Sequence, residues 1–443
     1  MSEIVTGEEA ADKLRTHSFI HPALRSQIQQ LDERLLKLAK PILVLKYLNW
    51  PDASEARFLK DWRDGCPALP EVELQIPDWK DEIAALDAFV TESQGEDPIL
   101  QFLRRTAASY AEAGRMLMAA GTSEFTERSI NLYGRPDEVY ATQSLTGVNA
   151  AAFLLEKTDH LNQGTYIAPV NADLPADQFA DRLRQAVQAY FTDDAVTVVV
   201  DNQLSSKAIA GSTRIRIRES AMFSDLDFDQ LYNHEALIHM ATAINGRRQL
   251  NLKSLQLGAP RTTRTQEGIA VFAEIATRSM DINRLRRLAL RIQVLKNALE
   301  GADFIECFKQ FLEAGQDELE AYKSTQRIFR GGDVRGHSAF TKDCAYLKGV
   351  METHVLLNVA IRDNQPQVIE RLFAGRLALS DAITLEPYFE SGFLQRPHYL
   401  PPWARDTRRL AALLAYSSFM MSVDLGAVTL NRFVDFSNRV ESE

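Results

Sequence analysis

Cysteine is scarce in this chain. Cys66, Cys307 and Cys344 are odd in number and far apart, which excludes a disulfide framework and a cysteine-rich metal site. No run of about 18 apolar residues occurs, so no membrane span is predicted. The opening residues, MSEIVTGEEAADKLRTH, have neither a basic start nor an apolar core and read as no secretion signal, so a reducing cytoplasm is the expected address. Positive charge is not in excess: the formal net charge is −10, and bulk charge gives no reason to expect a nucleic-acid partner. Repeats and low-complexity tracts are missing. One Gly-rich stretch, Arg330–His337 (RGGDVRGH), follows no strand and precedes no G-K-[ST], so it is not a phosphate loop and no nucleotide is assigned to it.

Apolar residues make up 45% of the 443, enough for a sizeable core, and most of them recur at helical spacing. Residues 23–48 follow that spacing with an interruption at Pro41. Glu71–Asp97 carries nine acids against Lys80 and reads as a surface segment or linker. Helices are expected at Ile99–Ala120, at Phe125–Leu132 after an N-cap at Thr122 or Ser123, and at Ala176–Tyr190. The character then changes. Val196–Val200 (VTVVV) reads as a buried strand, and Thr213–Arg218 (TRIRIR) alternates as a half-buried strand must, with Ile215 and Ile217 inward and Arg214, Arg216 and Arg218 outward. Another helix is expected to start after Ser224 or Asp225, and beyond Arg264 the pattern is helical almost to the end. The fold class is α+β, mainly α-helical, with a small antiparallel or mixed sheet. A helical N-terminal region (1–98) precedes a catalytic domain (99–443).

The stretch Leu231–Ala273 carries the chemistry. LYNHEALIH sets His234, Glu235 and His239 on one helix, and Glu267 stands near the start of the next. Two imidazoles and two carboxylates suit holding a zinc ion and activating its water. The common metalloprotease helix spaces its histidines by four, whereas here they are five apart, which leaves the rings about 140° apart on an ideal α-helix. They can share a metal only if the helix carries an extra residue, as a π-turn does. Dipeptidyl peptidases of the third class show a similar H-E-x-x-x-H zinc helix. Glu274, seven residues beyond Glu267 on nearly the same face, is a rival third ligand. Around this stretch, Gly246–Arg291 holds ten Lys/Arg against three Asp/Glu, a basic rim suited to an acidic substrate or a terminal carboxylate.

HEALIHMATAINGRRQ followed by TQEGIAVFAE resembles the QEGLA-motif proteins, bacterial relatives of the microtubule-associated tyrosine carboxypeptidase, some of which are labelled flavohaemoglobin-expression modulators. The likeness continues in FSDLDFDQLYNHE and FTKDCAYLKGVME, and more loosely in TSEFTERSINLYGRP, with Ile269 where the namesake motif has Leu. The resemblance implies a zincin-like zinc carboxypeptidase acting on tyrosine or glutamate ends. It implies ligands His234, His239 and Glu267 and an acid/base at Glu235, which favours Glu267 over Glu274 as third ligand. Glu274 then suits an acceptor that fixes a histidine N–H. His337 and Tyr346 are candidate oxyanion donors, and Asp343 is expected to be structural. Arg214 and Arg216 could meet substrate, and Arg261, Arg264, Arg330, Arg335 or Lys342 could grip its C-terminal carboxylate. An edge strand beside the metal would pair with extended substrate backbone. The expected partner is a peptide or protein C-terminus. A zinc amidase or aminopeptidase on a small amide, and a regulatory protein that keeps the zinc site without turnover, are the alternatives.

Overall fold

The computed structural model describes residues 21–139, 145–162, 172–202, 204 and 206–420; the N-terminal stretch read as lacking a secretion signal lies outside them. Among these residues helices dominate, and five short strands form two sheets. Strands β1 (Leu174–Pro175) and β5 (Met222–Phe223) pair antiparallel, while β2 (Thr197–Asp201), β3 (Ala208–Ala210) and β4 (Arg214–Arg218) form a mixed sheet in the order β2-β4-β3. Alternation sorts β4 as expected: Ile215 and Ile217 are fully buried, Arg214 and Arg216 are exposed, and Arg218 is half-buried. The edge strand β3 has no pattern of its own in the sequence. Arg218 N–H donates to Lys207 and Gly211 N–H to Arg214, so Ala208 and Ala210 turn their N–H and C=O groups toward the free edge.

Ser224 starts the next helix, Asp225–Leu231, through a reciprocal box: its hydroxyl accepts from Asp227 N–H, and the Asp227 carboxylate accepts from Ser224 N–H. The chain then winds as a π-helix over Tyr232–Met240 and returns to an α-helix at Ala241–Arg248. The π-helix buries Ala236 and Met240 against the sheet and the helix Ala176–Tyr190, and buries Ile238 against the helix Thr263–Ala276. It therefore lies between two apolar clusters, which fix its rotation. Asn245, one turn on, donates to the carbonyls of Phe373 and Tyr399 and accepts from Tyr399 N–H, tying the C-terminal segment to this helix.

One expectation needs correction. Glu71–Asp97 is no linker: Lys80–Glu92 is a helix that buries Ile83, Leu86 and Phe89 and turns Asp81, Asp87 and Glu92 outward. The acids that suggested a solvated segment are one face of an amphipathic element. Its apolar face packs with the helices Pro22–Ala39 and Pro98–Met118 in a core that also holds Leu252, Leu255, Phe340 and Leu377, so residues on both sides of position 98 share one interior. The break at Pro41 is present, between Pro22–Ala39 and Val44–Tyr47. Among the described residues no helix is long and apolar enough to cross a membrane.

The helix Thr263–Ala276 crosses the helix Cys344–Arg362 at two glycines. A Cβ on Gly268 would stand 2.3 Å from the Gly349 carbonyl carbon, and one on Gly349 would stand 2.2 Å from Arg264 O. Backbone meets backbone there, and neither side can yield by rotating a side chain. Gly268→Ala should raise helix propensity by about 1 kcal/mol but force the two backbones apart at a cost of ~1–3 kcal/mol or more. The clash wins: urea unfolding should show net destabilisation, and a stabilised variant would disprove the close crossing.

Candidate metal centre

The π-helix brings the two imidazoles to one side. Their centroids are 4.9 Å apart with the planes at 79°, in place of the wide splay an α-helix would impose. Each Nε2 faces the same atom, Glu267 Oε2, at 3.5 Å from His234 and 3.6 Å from His239. One ligand atom from each of the three residues lies within 4.8 Å of the other two. Among the described residues Glu267 Oε2 is buried and accepts no hydrogen bond. An orphaned carboxylate oxygen is costly unless something positive faces it. Two ligand atoms each about 2.1 Å from a tetrahedral ion stand roughly 3.4 Å apart, so the spacing fits a small divalent cation between them.

Two of the three ligand-type side chains, Glu267 and His234, are held from behind. Glu267 Oε1 accepts from the Lys342 ammonium at 2.6 Å, and Lys342 also stands 3.4 Å from Tyr346 Oη. His234 Nδ1 lies 2.6 Å from Glu274 Oε1, and Glu274 is fully buried. That carboxylate also accepts from Arg284, through both Nε and Nη2 at 3.2 Å, and from Gln230 at 3.3 Å. An Nδ1–H donated to Glu274 leaves the Nε2 lone pair pointing at Glu267 and at any ion placed there. Arg376 donates to the carbonyl of His239 at 3.2 Å.

The electrostatics agree with this reading. Burial alone would raise the Glu274 carboxyl, but Arg284 and His234 bring it down to about 2. Burial likewise opposes ionisation of Glu267, yet the Lys342 ammonium and the imidazoles hold it well below the usual carboxylate range. Burial would lower His234, and the carboxylates of Glu267 and Glu274 outweigh it, raising the ring to about 10. The trio thus demands positive charge between Glu267 and the rings, which a proton or a metal ion can supply.

Glu235, on the same π-helix, points toward the sheet: its Oε2 accepts from Ala210 N–H at the free edge of β3, at 2.7 Å. One carboxylate thereby sits between the histidines and a strand edge. Tyr346 lies one side chain behind Glu267, through Lys342.

Other candidates fall elsewhere. His337 is not at this centre. Its ring packs on Gly301, at the far end of the helix Ile282–Glu300 from Arg284, about 25 Å away by helical rise. Its φ of 65° belongs to the turn that the Gly-rich loop makes there. Arg335 pairs with Asp333 in that same loop and is 78% exposed. Arg261 is bound to Asp381 and lies over the Phe102 ring, and Arg264 faces Glu352 at 3.5 Å. Arg216 pairs with Asp201 on the outer face of the sheet, which Arg214 shares. Lys342 is at the centre, but its ammonium is committed to Glu267 and does not serve as a free clamp. Arg330 is buried over the Phe340 ring. Sequence reasoning missed Arg284, ten residues beyond Glu274 within the basic block, and Arg376, which reaches His239 across 137 residues and leaves no local signal.

Residues 56–422, most of the chain, match the family model described as microtubule-associated tyrosine carboxypeptidase. No curated protein matches the chain.

Lys342→Met tests the support behind Glu267. It keeps the stem's volume and removes the ammonium, leaving a buried carboxylate unanswered, which costs about 3–5 kcal/mol. Chelated protein should lose that much in a urea titration, and zinc should restore part of it. Unchanged stability would remove Lys342 from the centre.

Proposed function

We propose, because the chain belongs to the microtubule-associated tyrosine carboxypeptidase family, that it is a zinc-dependent carboxypeptidase that hydrolyses the last peptide bond of a peptide or protein. Within that family it resembles the QEGLA-motif proteins, with a zincin-like H-E-x-x-x-H helix and a tyrosine- or glutamate-type end as substrate. The observation that carries the reading is the lone Glu267 oxygen set between two imidazole nitrogens, 3.5 and 3.6 Å away. His234, His239 and Glu267 would hold the ion. Zinc bound by three N/O ligands supplies a Lewis acid for a carbonyl and makes water nucleophilic near neutral pH.

The chain's own groups account for the rest. Glu235 is the carboxylate free to take a proton from the attacking water and return it to the departing amine. Its hydrogen bond from Ala210 N–H places that proton acceptor against the free edge of β3, where extended substrate backbone can add as a further strand. Glu274 and Arg284 keep the His234 ring from turning. Tyr346 is the candidate donor to the developing oxyanion, reached through its place beside Lys342. The catalytic unit is assigned to residues 99–443, with the first 98 as a helical N-terminal region, and the cytoplasm as its location.

Two experiments test this. Zinc content by mass spectrometry should be stoichiometric in wild type and lost in Glu267→Gln. Glu274→Gln should keep the site with affinity weakened roughly 10- to 100-fold, as expected for an outer partner of a ligand. The opposite pattern would make Glu274 the ligand. Turnover comes second: peptides with a free C-terminal carboxylate should be shortened by one residue and their C-amidated forms spared. Glu235→Gln should retain zinc while kcat falls about 10²- to 10⁴-fold. Equal cleavage of amidated peptides would refute the carboxypeptidase assignment.

A further inference from the structure

A charged partner stands behind Glu267 and behind His234, but among the described residues none stands behind the His239 ring. Lys342 holds the first and Glu274 the second, whereas His239 pairs with Glu267 alone. Its side chain is also the less covered of the two imidazoles, 15% exposed against 6% for His234. His239 is the last residue but one of the π-helix, just before the winding returns to α at Ala241. Winding of this kind is rare and needs support from outside the helical ladder. Two side chains supply it at this end. The Thr242 hydroxyl lies 2.7 Å from the Ile238 carbonyl oxygen and 3.3 Å from that of His239. Arg376 Nη2 donates to the same His239 carbonyl at 3.2 Å.

The segment that carries Arg376 is laced to the zinc-type helix and its neighbours. Asn245 donates to Phe373 O at 2.7 Å, Gln249 donates to Ala374 O at 3.1 Å, and Arg376 N–H donates to Leu255 O at 2.7 Å. Gly258 lines the guanidinium so closely that a Cβ there would stand 2.5 Å from Arg376 Nη1. Among the described residues Arg376 makes no ion pair, and its buried Nε has no hydrogen-bond partner. A half-buried cation without a paired anion is a poor source of stability, so packing alone gives no reason for an arginine here. We infer that Arg376 is a positioning residue: by gripping the His239 carbonyl it fixes the ring toward Glu267 and the ion that the pair would hold. The inference rests on the proposed metal centre and on no particular substrate.

The test loads full-length protein with cobalt(II) in place of zinc, because the visible absorption of that ion reports its coordination geometry. Two variants remove the grip in different ways. Arg376→Met deletes the donor. Gly258→Ala keeps the charge but displaces the guanidinium, and since Nη1 is the free end of a long side chain, the fold can absorb the change. Both variants should still bind cobalt, with altered visible bands and an affinity weakened roughly tenfold or more, the range for losing an outer partner of a ligand. In peptide cleavage kcat should fall while KM holds, because the substrate itself is not touched. Arg396→Met is the control: Arg396 is 76% exposed and faces Glu370 at 3.6 Å, and its loss should leave the bands unchanged. Melting of chelated protein separates positioning from structure. If Arg376→Met melts well below wild type while Gly258→Ala leaves bands and affinity intact, the arginine is structural and the inference is overturned. Wild type that takes up no cobalt rejects the metal centre and this inference together. A loaded wild type whose bands neither variant alters rejects the inference alone. Altered bands in a protein that cleaves no peptide would uphold Arg376 and reject the peptidase.

Discussion

Everything at the centre depends on nine residues wound with one extra residue per turn. Five-residue spacing on an α-helix would point His234 and His239 in directions about 140° apart, and no single ion could touch both. The π-helix Tyr232–Met240 turns both Nε2 atoms to one carboxylate oxygen. Such winding is intrinsically poor and persists only where packing over-determines it. That packing is visible: Ala236 and Met240 are locked against the sheet side and Ile238 against the opposite helix, while ordinary α-helix on both flanks sets the register.

The same constraint explains why so much charge is buried nearby. Rigidity at the trio of His234, His239 and Glu267 comes from ion pairs behind Glu267 and His234, added to the apolar packing of the π-helix. Lys342 pins Glu267, Glu274 pins His234, and Arg284 pins Glu274. Each such pair is a weak source of net stability, since desolvation offsets much of its attraction, but it leaves the side chain a single orientation. The helix that carries Glu267 and the helix that follows the turn bearing Lys342 come this close only because Gly268 and Gly349 remove both side chains at the crossing. The glycine of the QEG triplet is therefore a packing requirement of the carboxylate beside it.

Much of this was legible in the sequence, and the limits have physical reasons. The H-E-x-x-x-H spacing called for an extra residue in the helix, and alternation in TRIRIR placed Ile215 and Ile217 inside. Side-chain chemistry pointed to Ser224 or Asp225 as the helix start, and Ser224 is the cap. Local reasoning failed where long-range contact decides. Lys80–Glu92 looked like a solvated linker because its acids outnumber its three buried apolar residues, which only the neighbouring helices reveal as a face. His337 was attractive for its place near FTKD, yet a left-handed turn carries it to the other end of a 19-residue helix. Arg376 and β3 have no local signature. The family match, over residues 56–422, spans the centre and the helices that support it but names none of their pairings.

The two carboxylates of the helix Thr263–Ala276 show how one face can serve two purposes. Seven residues bring Glu267 and Glu274 to nearly the same angle but separate them by about 10.5 Å along the axis, too far for both to reach one small ion. An imidazole, however, has nitrogens on opposite sides of its ring. His234 lies across this helix so that Nε2 meets Glu267 and Nδ1 meets Glu274, and the rise between the two acids is spanned by the ring. The two acids that look alike in the sequence thus stand in different environments. Glu267 keeps one oxygen that accepts no hydrogen bond among the described residues, whereas Glu274 is saturated by Arg284, Gln230 and the His234 ring. Exchanging their hydrogen bonds would require turning the His234 ring by half a turn, and that side chain is buried.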